Sequence, residues 1–327
     1  MKRFYETALA GYHAKGFCVW LDQKMVRTPQ QQTLDLPNLI LAKKIAAEFR
    51  DQKETIVPAQ MPITSWAFSV EDRIAPRLKE VKEEILSYAA GDAICYWAGQ
   101  PENLRAKEKQ IWGGLLARLE TEGLKFNICL GVTRADQPSD SIQKLANAMQ
   151  KMDPWHLGLW LFATNLTGSA LASYIWLRGG LTVDEFFAAG FLPEIFRCEL
   201  AGDDPKQAPH LAPKWQSIQE LDWIKHSLDH KTKFAEVHLW IYGRVQGVGF
   251  RAWTVKMAEK QGFSGFVRNR KDGPVEAVLV GPMADLNQAI KQCLRGPILA
   301  SVDRLTITGY KELAAMPTAG FEQKPTE

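Results

Sequence analysis

The stretch "GRVQGVGFR", residues 243–251, places three glycines in seven residues and ends on Arg251, where Ala252 to Gln261 begins to read as a helix. A cation at a helix N-terminus is opposed by the helix dipole and by the free amides of the first turn, unless an anion lies between them. Gly243, Gly247 and Gly249 permit backbone conformations in which successive amides turn inward, as in an oxyanion nest. Arg251 would add a bidentate cation, and the combined donor set matches the tetrahedral oxygens of a phosphate. It is not a P-loop, because no Gly-Lys-Ser/Thr follows. Nor is it a dinucleotide fingerprint, since Ala252 stands where a third glycine would fall and the expected acidic residue is missing. Read on its own, the loop fits equally well a tight turn with a solvated arginine. Downstream, Asn269 precedes Arg270-Lys271-Asp272-Gly273, where asparagine is commonly a turn former.

The elements around these residues define a module. "AEVHLWIYG" reads as a strand and Trp253 to Gln261 as a helix; "FSGFVRN" and "PVEAVLVG" read as strands joined at Asp272-Gly273. A helix near Met283 to Arg295, a strand at "DRLTITGY" and a short strand around Phe321 complete it. Strand, helix, strand, strand, helix, strand is the split, ferredoxin-like βαββαβ order. His238 lies in the strand before the loop and reads as a sheet residue rather than a base.

"GRVQGVGFR", followed by "GFSGFVRN" and "DGPVEA" in order and spacing, resembles the acylphosphatase family over residues 235–327. The resemblance implies hydrolysis of an acyl phosphate by water to carboxylate and phosphate, with no metal and no cofactor. It further implies that Arg251 and the amides of Gln246, Gly247, Val248, Gly249 and Phe250 hold the phosphoryl group, while Asn269 positions the attacking water. Phe266, where tryptophan is common in the family, is a packing change. So small a set of groups is chemically adequate. The leaving carboxylate has a low pKa and needs no strong general acid, so charge stabilisation and positioning can do most of the work.

At 327 residues the chain exceeds the size of a single core, which predicts two domains. Hydrophobic residues make up 46% and charged ones 24%, with no long polar or repetitive tract. Net charge is +3: residues from 235 onward carry 12 Lys+Arg against 9 Asp+Glu, and the remainder balances at 28 against 28. That surplus suits a small anion and is too weak to argue for nucleic acid. The five cysteines are scattered without metal-ligand spacing, consistent with reduced thiols in a cytoplasm. Trp155 to Leu177 is strongly apolar but carries Thr164, Asn165, Thr167, Ser169 and Ser173. It is expected to be one central core helix, with no stable membrane insertion.

The first 234 residues read as a small sheet followed by helices. "GFCVWLD" and "KMVRTP" flank an Asp22-Gln23 turn, and "TLDL" reads as a further strand. From Leu39 the apolar spacing becomes helical, Thr182 with Glu185 makes a capping box, and Trp215 to Leu228 forms the last amphipathic helix before the polar "DHKTKFAE". The fold class expected is therefore α+β in two domains: residues 1–231 (β-rich 1–38, helical 39–231) and residues 235–327. No paired carboxylates, His/Cys cluster or nucleophile beside a base stand out before residue 235, so binding is expected there rather than catalysis.

"KRFYETALAGYHAKGFCVWLDQKMVRTP", "LDLPNLILAKKIAAEF", "IVPAQMPITSWAFSVEDRI", "YAAGDAICYWA" and "NLTGSALASYIWLRGGLTVDE" resemble, in order, the assembly chaperones that hold the alpha subunit of ATP synthase. The resemblance implies a partly apolar client surface, to which some of the ten tryptophans before residue 250 could contribute; the competing reading is that they fill the core. Glu48-Phe49 replaces the usual Glu-Trp, and "FLPEIFRCELAG" keeps Glu194 and Glu199 but not the usual glutamine and tryptophan. Glu194 is the candidate client contact, with a solvated helix charge as the alternative. With no segment ahead of "KRFY" that reads as a transit peptide, a bacterial cytoplasm is the expected location. The rival reading is a binding protein whose last domain merely holds an anion.

Overall fold

The computed structural model describes residues 1–13, 15–131, 136–316 and 320–327. It begins with strands β1 (Ala8–Tyr12), β2 (Phe17–Leu21) and β3 (Lys24–Met25), then helices α1 (Leu39–Asp51), α2 (Pro62–Ser69) and α3 (Leu78–Ala90). A mixed segment follows: β4 (Tyr96–Trp97), α4 (Glu102–Thr121), β5 (Cys129–Leu130) and α5 (Ser139–Ala148). Helices α6 (Pro154–Thr167), α7 (Ala170–Leu177), α8 (Val183–Gly190), α9 (Leu192–Ala201) and α10 (Ala212–Asp229) complete the helical part. The last part contains β6 (Phe234–Arg244), α11 (Phe250–Gln261), β7 (Ser264–Asn269), β8 (Val275–Pro282), α12 (Met283–Arg295), β9 (Ser301–Leu313) and β10 (Phe321–Gln323).

Two compact units emerge: Met1–Glu71 together with Asp229–Glu327, and Asp72–Leu228. The first is built on one eight-stranded sheet in the order β10-β7-β8-β6-β9-β1-β2-β3. Its β6-α11-β7-β8-α12-β9 portion is the expected ferredoxin-like arrangement. The N-terminal strands continue the same sheet: β1 pairs antiparallel with β9, through Ala10↔Ile307, Gly11↔Thr306 and Tyr12↔Leu305. Arg304 reinforces the seam by donating from its guanidinium to the Asp22 carbonyl in the β2–β3 turn. Along β6, Ala235, Val237, Leu239 and Ile241 are buried while Glu236, His238, Trp240 and Tyr242 between them are half-buried, the period-2 pattern of a sheet with one covered face. Helix α1 packs on β1 and β2, α11 on β7, and α12 on β6, β8 and β9.

In the helical unit, Trp160 and Trp176 are fully buried, and Trp176 stacks on Phe186 at 4.7 Å between ring centroids. The Thr182–Glu185 capping box forms as expected at the start of α8. The apolar run from Trp155 to Leu177 is two helices rather than the single one expected. Gly168 adopts a left-handed φ of 73° and ends α6, and the Ser169 hydroxyl caps α7 by accepting from Ala172 N. Asp92, wholly buried, stabilises this junction: it accepts from Ser169 Oγ at 2.6 Å and from Leu171 N at 2.8 Å. "TLDL" also differs from expectation. Leu34 and Leu36 are buried in alternation, but only the isolated bridges Arg27↔Thr33 and Phe17↔Leu36 form, not a strand.

Candidate active site

The loop between β6 and α11, residues 245–249, follows the end of β6, which lies between β8 and β9 in the sheet. At Gly243, φ is 119° and an added Cβ would lie 2.2 Å from Ser301 O, so only glycine lets β6 pass this close to β9 before turning out. Gly247 and Gly249 take φ of 71° and 76°, both left-handed, and Gly249 is the N-cap of α11 with no side-chain cap. Among the described residues, no backbone N–H from Gln246 to Phe250 donates to a protein acceptor. Unsatisfied amides at a helix start are stable only against water or an anion.

Arg251 lies in the first turn of α11, half-buried, and its guanidinium has no ion pair or hydrogen bond among the described residues. Nearby arginines contrast with it: Arg244 donates to Leu299 O at 2.7 Å, and Arg268 is paired with Glu276 at 2.7 Å. Asn269, the last residue of β7, is 9% exposed and shares a ladder row with Val275 and Ile241. Paired residues share a face, so Asn269 lies on the same covered face as Ile241, the side on which α11 packs against β7. Its side-chain amide has no protein partner among the described residues.

Gln246 was expected for its backbone amide, but its side chain has a separate place that spacing did not reveal. Its Nε2 donates to Arg270 O at 2.8 Å and Gly273 O at 2.9 Å, both in the turn that follows Asn269. No signal in the sequence points to this, since the acceptors are backbone carbonyls more than twenty residues away. His238 sits in β6 with Nε2 2.7 Å from Glu236 Oε1, consistent with a sheet residue. Among the described residues no group of three or more His, Cys, Asp or Glu is placed to hold a metal ion.

Glu194 is in the first turn of α9, half-buried, with Lys214 Nζ 3.7 Å from its carboxylate. Seven of the ten tryptophans before residue 250 are buried: Trp20, Trp66, Trp97, Trp112, Trp155, Trp160 and Trp176. The other three, Trp215, Trp223 and Trp240, are half-buried, which favours the core reading of these side chains. Three buried carboxylates to which the sequence reading gave no structural role hold backbone amides in place. Glu48 accepts from Ile63 N, Thr64 N and Thr64 Oγ1 at the start of α2, Glu108 accepts from Ala98 N at 2.6 Å, and Asp92 caps α7. Burial raises the pKa of all three, Asp92 to about 7.

Comparison with known proteins assigns both ends. The family of the ATP12 chaperone protein matches residues 2–120, and that of acylphosphatase matches residues 237–322. An acylphosphatase of Azorhizobium caulinodans is 48% identical over 84 residues, which span 26% of this chain and 86% of that protein. One from Rhizorhabdus wittichii is 45% identical over 86 residues, 26% of this chain and 84% of the relative. The chain joins an ATP12 chaperone domain to an acylphosphatase domain. The crystal structure of ATP12 from Paracoccus denitrificans matches at a TM-score of 0.64 with 27% identity, covering 69% of this chain and 98% of that one. The nest, Arg251 and Asn269 all fall inside the acylphosphatase match. No helix among the described residues is long and apolar enough to cross a membrane.

Proposed function

We propose that the acylphosphatase domain hydrolyses acyl phosphates to a carboxylate and inorganic phosphate. The observation that carries this reading is the run of unpartnered amides from Gln246 to Phe250 beside the unpaired guanidinium of Arg251, at the N-terminus of α11. These donors hold the phosphoryl oxygens and stabilise the charge spread over them as the bond to the acyl oxygen lengthens. Asn269 orients a water for in-line attack at phosphorus. The P–O bond to the acyl group breaks, the carboxylate leaves with the bonding pair, and the water's proton passes to phosphate or solvent. Because the leaving group is a weak base, its departure needs no strong general acid. The test is phosphate release from benzoyl phosphate, without added metal, by the intact chain and by Arg251→Ala and Asn269→Ala. Each substitution removes a donor or positioning group from the transition state and is expected to lower kcat/KM about 10²- to 10³-fold. An intact chain that releases no phosphate above the uncatalysed rate refutes the reading and leaves an anion-binding domain.

We infer also that residues 1–231 act as a chaperone for an ATP synthase subunit, the alpha subunit in particular, with Glu194 among the contacts. The ATP12 match over residues 2–120 supports the chaperone reading, while the alpha subunit as client and Glu194 as a contact rest on the sequence resemblance. The intact chain should suppress aggregation of isolated alpha subunit at near-equimolar ratio; no suppression at several-fold excess counts against it.

A further inference from the structure

The expected assignment gives Gln246 only a backbone role, yet its side chain is the physical link between the two halves of the site. Arg251 and the amide nest belong to the β6–α11 loop, whereas Asn269 belongs to the end of β7, and no ladder joins residues 245–249 to residues 270–274. The Gln246 carboxamide crosses this gap. Its Nε2 donates to Arg270 O at 2.8 Å and Gly273 O at 2.9 Å, with Pro274 O at 3.3 Å on the same side. Those carbonyls belong to a turn that is itself closed by Arg270 N to Pro274 O at 2.9 Å and Gly273 N to Arg270 O at 3.2 Å. Asn269 immediately precedes that turn, so the loop is tied to a rigid element one residue from Asn269.

From these bonds we propose that Gln246 is a positioning residue, which holds the phosphate nest at a fixed distance from Asn269 so that the bound phosphoryl group and the water meet in line. The inference rests on the hydrolase reading above. The nest is local: its amides and Arg251 lie within six consecutive residues, so the anion can still bind when the tie is cut. The alignment with Asn269 is not local, and in-line attack tolerates little misplacement, with about 1 Å worth on the order of 10²-fold in rate. Loss of the tie therefore reduces turnover far more than phosphate affinity.

The test uses the full chain and Gln246→Met, which keeps length and volume but has no donors, assayed below the melting temperature of each. The substrate is benzoyl phosphate, and inorganic phosphate is the competitive inhibitor. Expected is a fall in kcat of about tenfold or more with the inhibition constant for phosphate within about threefold. A kcat within twofold of the intact chain overturns the inference, and so does an equal loss in kcat and phosphate affinity, which would make Gln246 part of the anion site itself. A second measurement needs no variant: the Gln246 side-chain amide protons should exchange at least about tenfold more slowly than those of an exposed glutamine, and unprotected exchange overturns the tie. An inactive intact chain refutes the hydrolase reading instead, and the exchange measurement then still reports on the tie alone.

Discussion

Gly11→Ala tests whether the seam between the N-terminal strands and the acylphosphatase sheet carries load. Gly11 lies in β1 opposite Thr306 of β9, and a Cβ there would sit 2.4 Å from Leu305 O and 2.5 Å from Cδ1 and Nε1 of the Trp20 ring. One obstacle is β9 backbone and the other a buried indole, so neither yields freely. Overpacking of this kind costs about 1–3 kcal/mol. Because the strain falls on the β1–β9 ladder, about 2–3 kcal/mol is expected here, and for a unit of this size that lowers the melting temperature by roughly 5–10 °C. The decisive assay is thermal inactivation of acyl phosphate hydrolysis alongside unfolding followed by circular dichroism. If β1 to β3 and the acylphosphatase strands melt as one cooperative sheet, hydrolysis is lost at the same lowered temperature, although Gly11 lies far in sequence from Arg251 and Asn269. Hydrolysis surviving to the wild-type temperature while the N-terminal strands unfold earlier would instead make the seam a contact between independent modules.

Three further outcomes follow from the buried polar groups. Glu48→Ala strips the start of α2 of the acceptor for Ile63 N and Thr64 N, and should reduce stability in urea unfolding by about 2–4 kcal/mol, with Glu48→Gln intermediate. Asp92 binds its proton more tightly folded, at about 7, than in the unfolded chain, where the ordinary aspartate value is about 3.8. Its contribution therefore weakens stability as pH rises between those values and is constant above them, so urea midpoints should fall from pH 4 to pH 7 more steeply in the intact chain than in Asp92→Asn. All five cysteines are buried, and burial pushes the thiols of Cys18 and Cys293 up to about 12. A thiol-specific chromogenic disulfide should accordingly label them slowly in the native chain and all five once denatured.

What the sequence discloses here depends on how far apart the cooperating residues lie. The candidate anion loop stands out because glycine spacing, Arg251 and the helix start are contiguous, but dihedral preference and the helix terminus fit a tight turn with a solvated arginine equally well, and the family resemblance is what favours phosphate. The role proposed for Asn269 comes only from family resemblance, since an asparagine at a strand end has a sound local explanation as a turn former. The Gln246 tie was invisible: its acceptors are carbonyls, which every residue possesses, so nothing in their side chains marks them. The break at Gly168-Ser169 lay within a run whose hydrophobicity does not change across it, and the junction is decided by Asp92, 76 and 77 positions upstream of its ends.

The seam is the strongest case. β1 carries the apolar residues of a buried strand and β9 those of a sheet edge, but each pattern is equally satisfied by a separate small sheet and by a continuous one. An exposed edge strand beside an open hairpin is a template for pairing, and a chain that carries both lowers its free energy by joining them. Here that joining closes the β9 edge with β1, ties the β2–β3 turn down through Arg304, and makes the N-terminal strands part of the sheet on which Asn269 and the nest are built. Joining an ATP12 domain to an acylphosphatase domain in one chain thus changes the scaffold of the acylphosphatase domain itself, and substitutions in residues 8–25 are expected to affect the proposed hydrolysis as well as the proposed client binding.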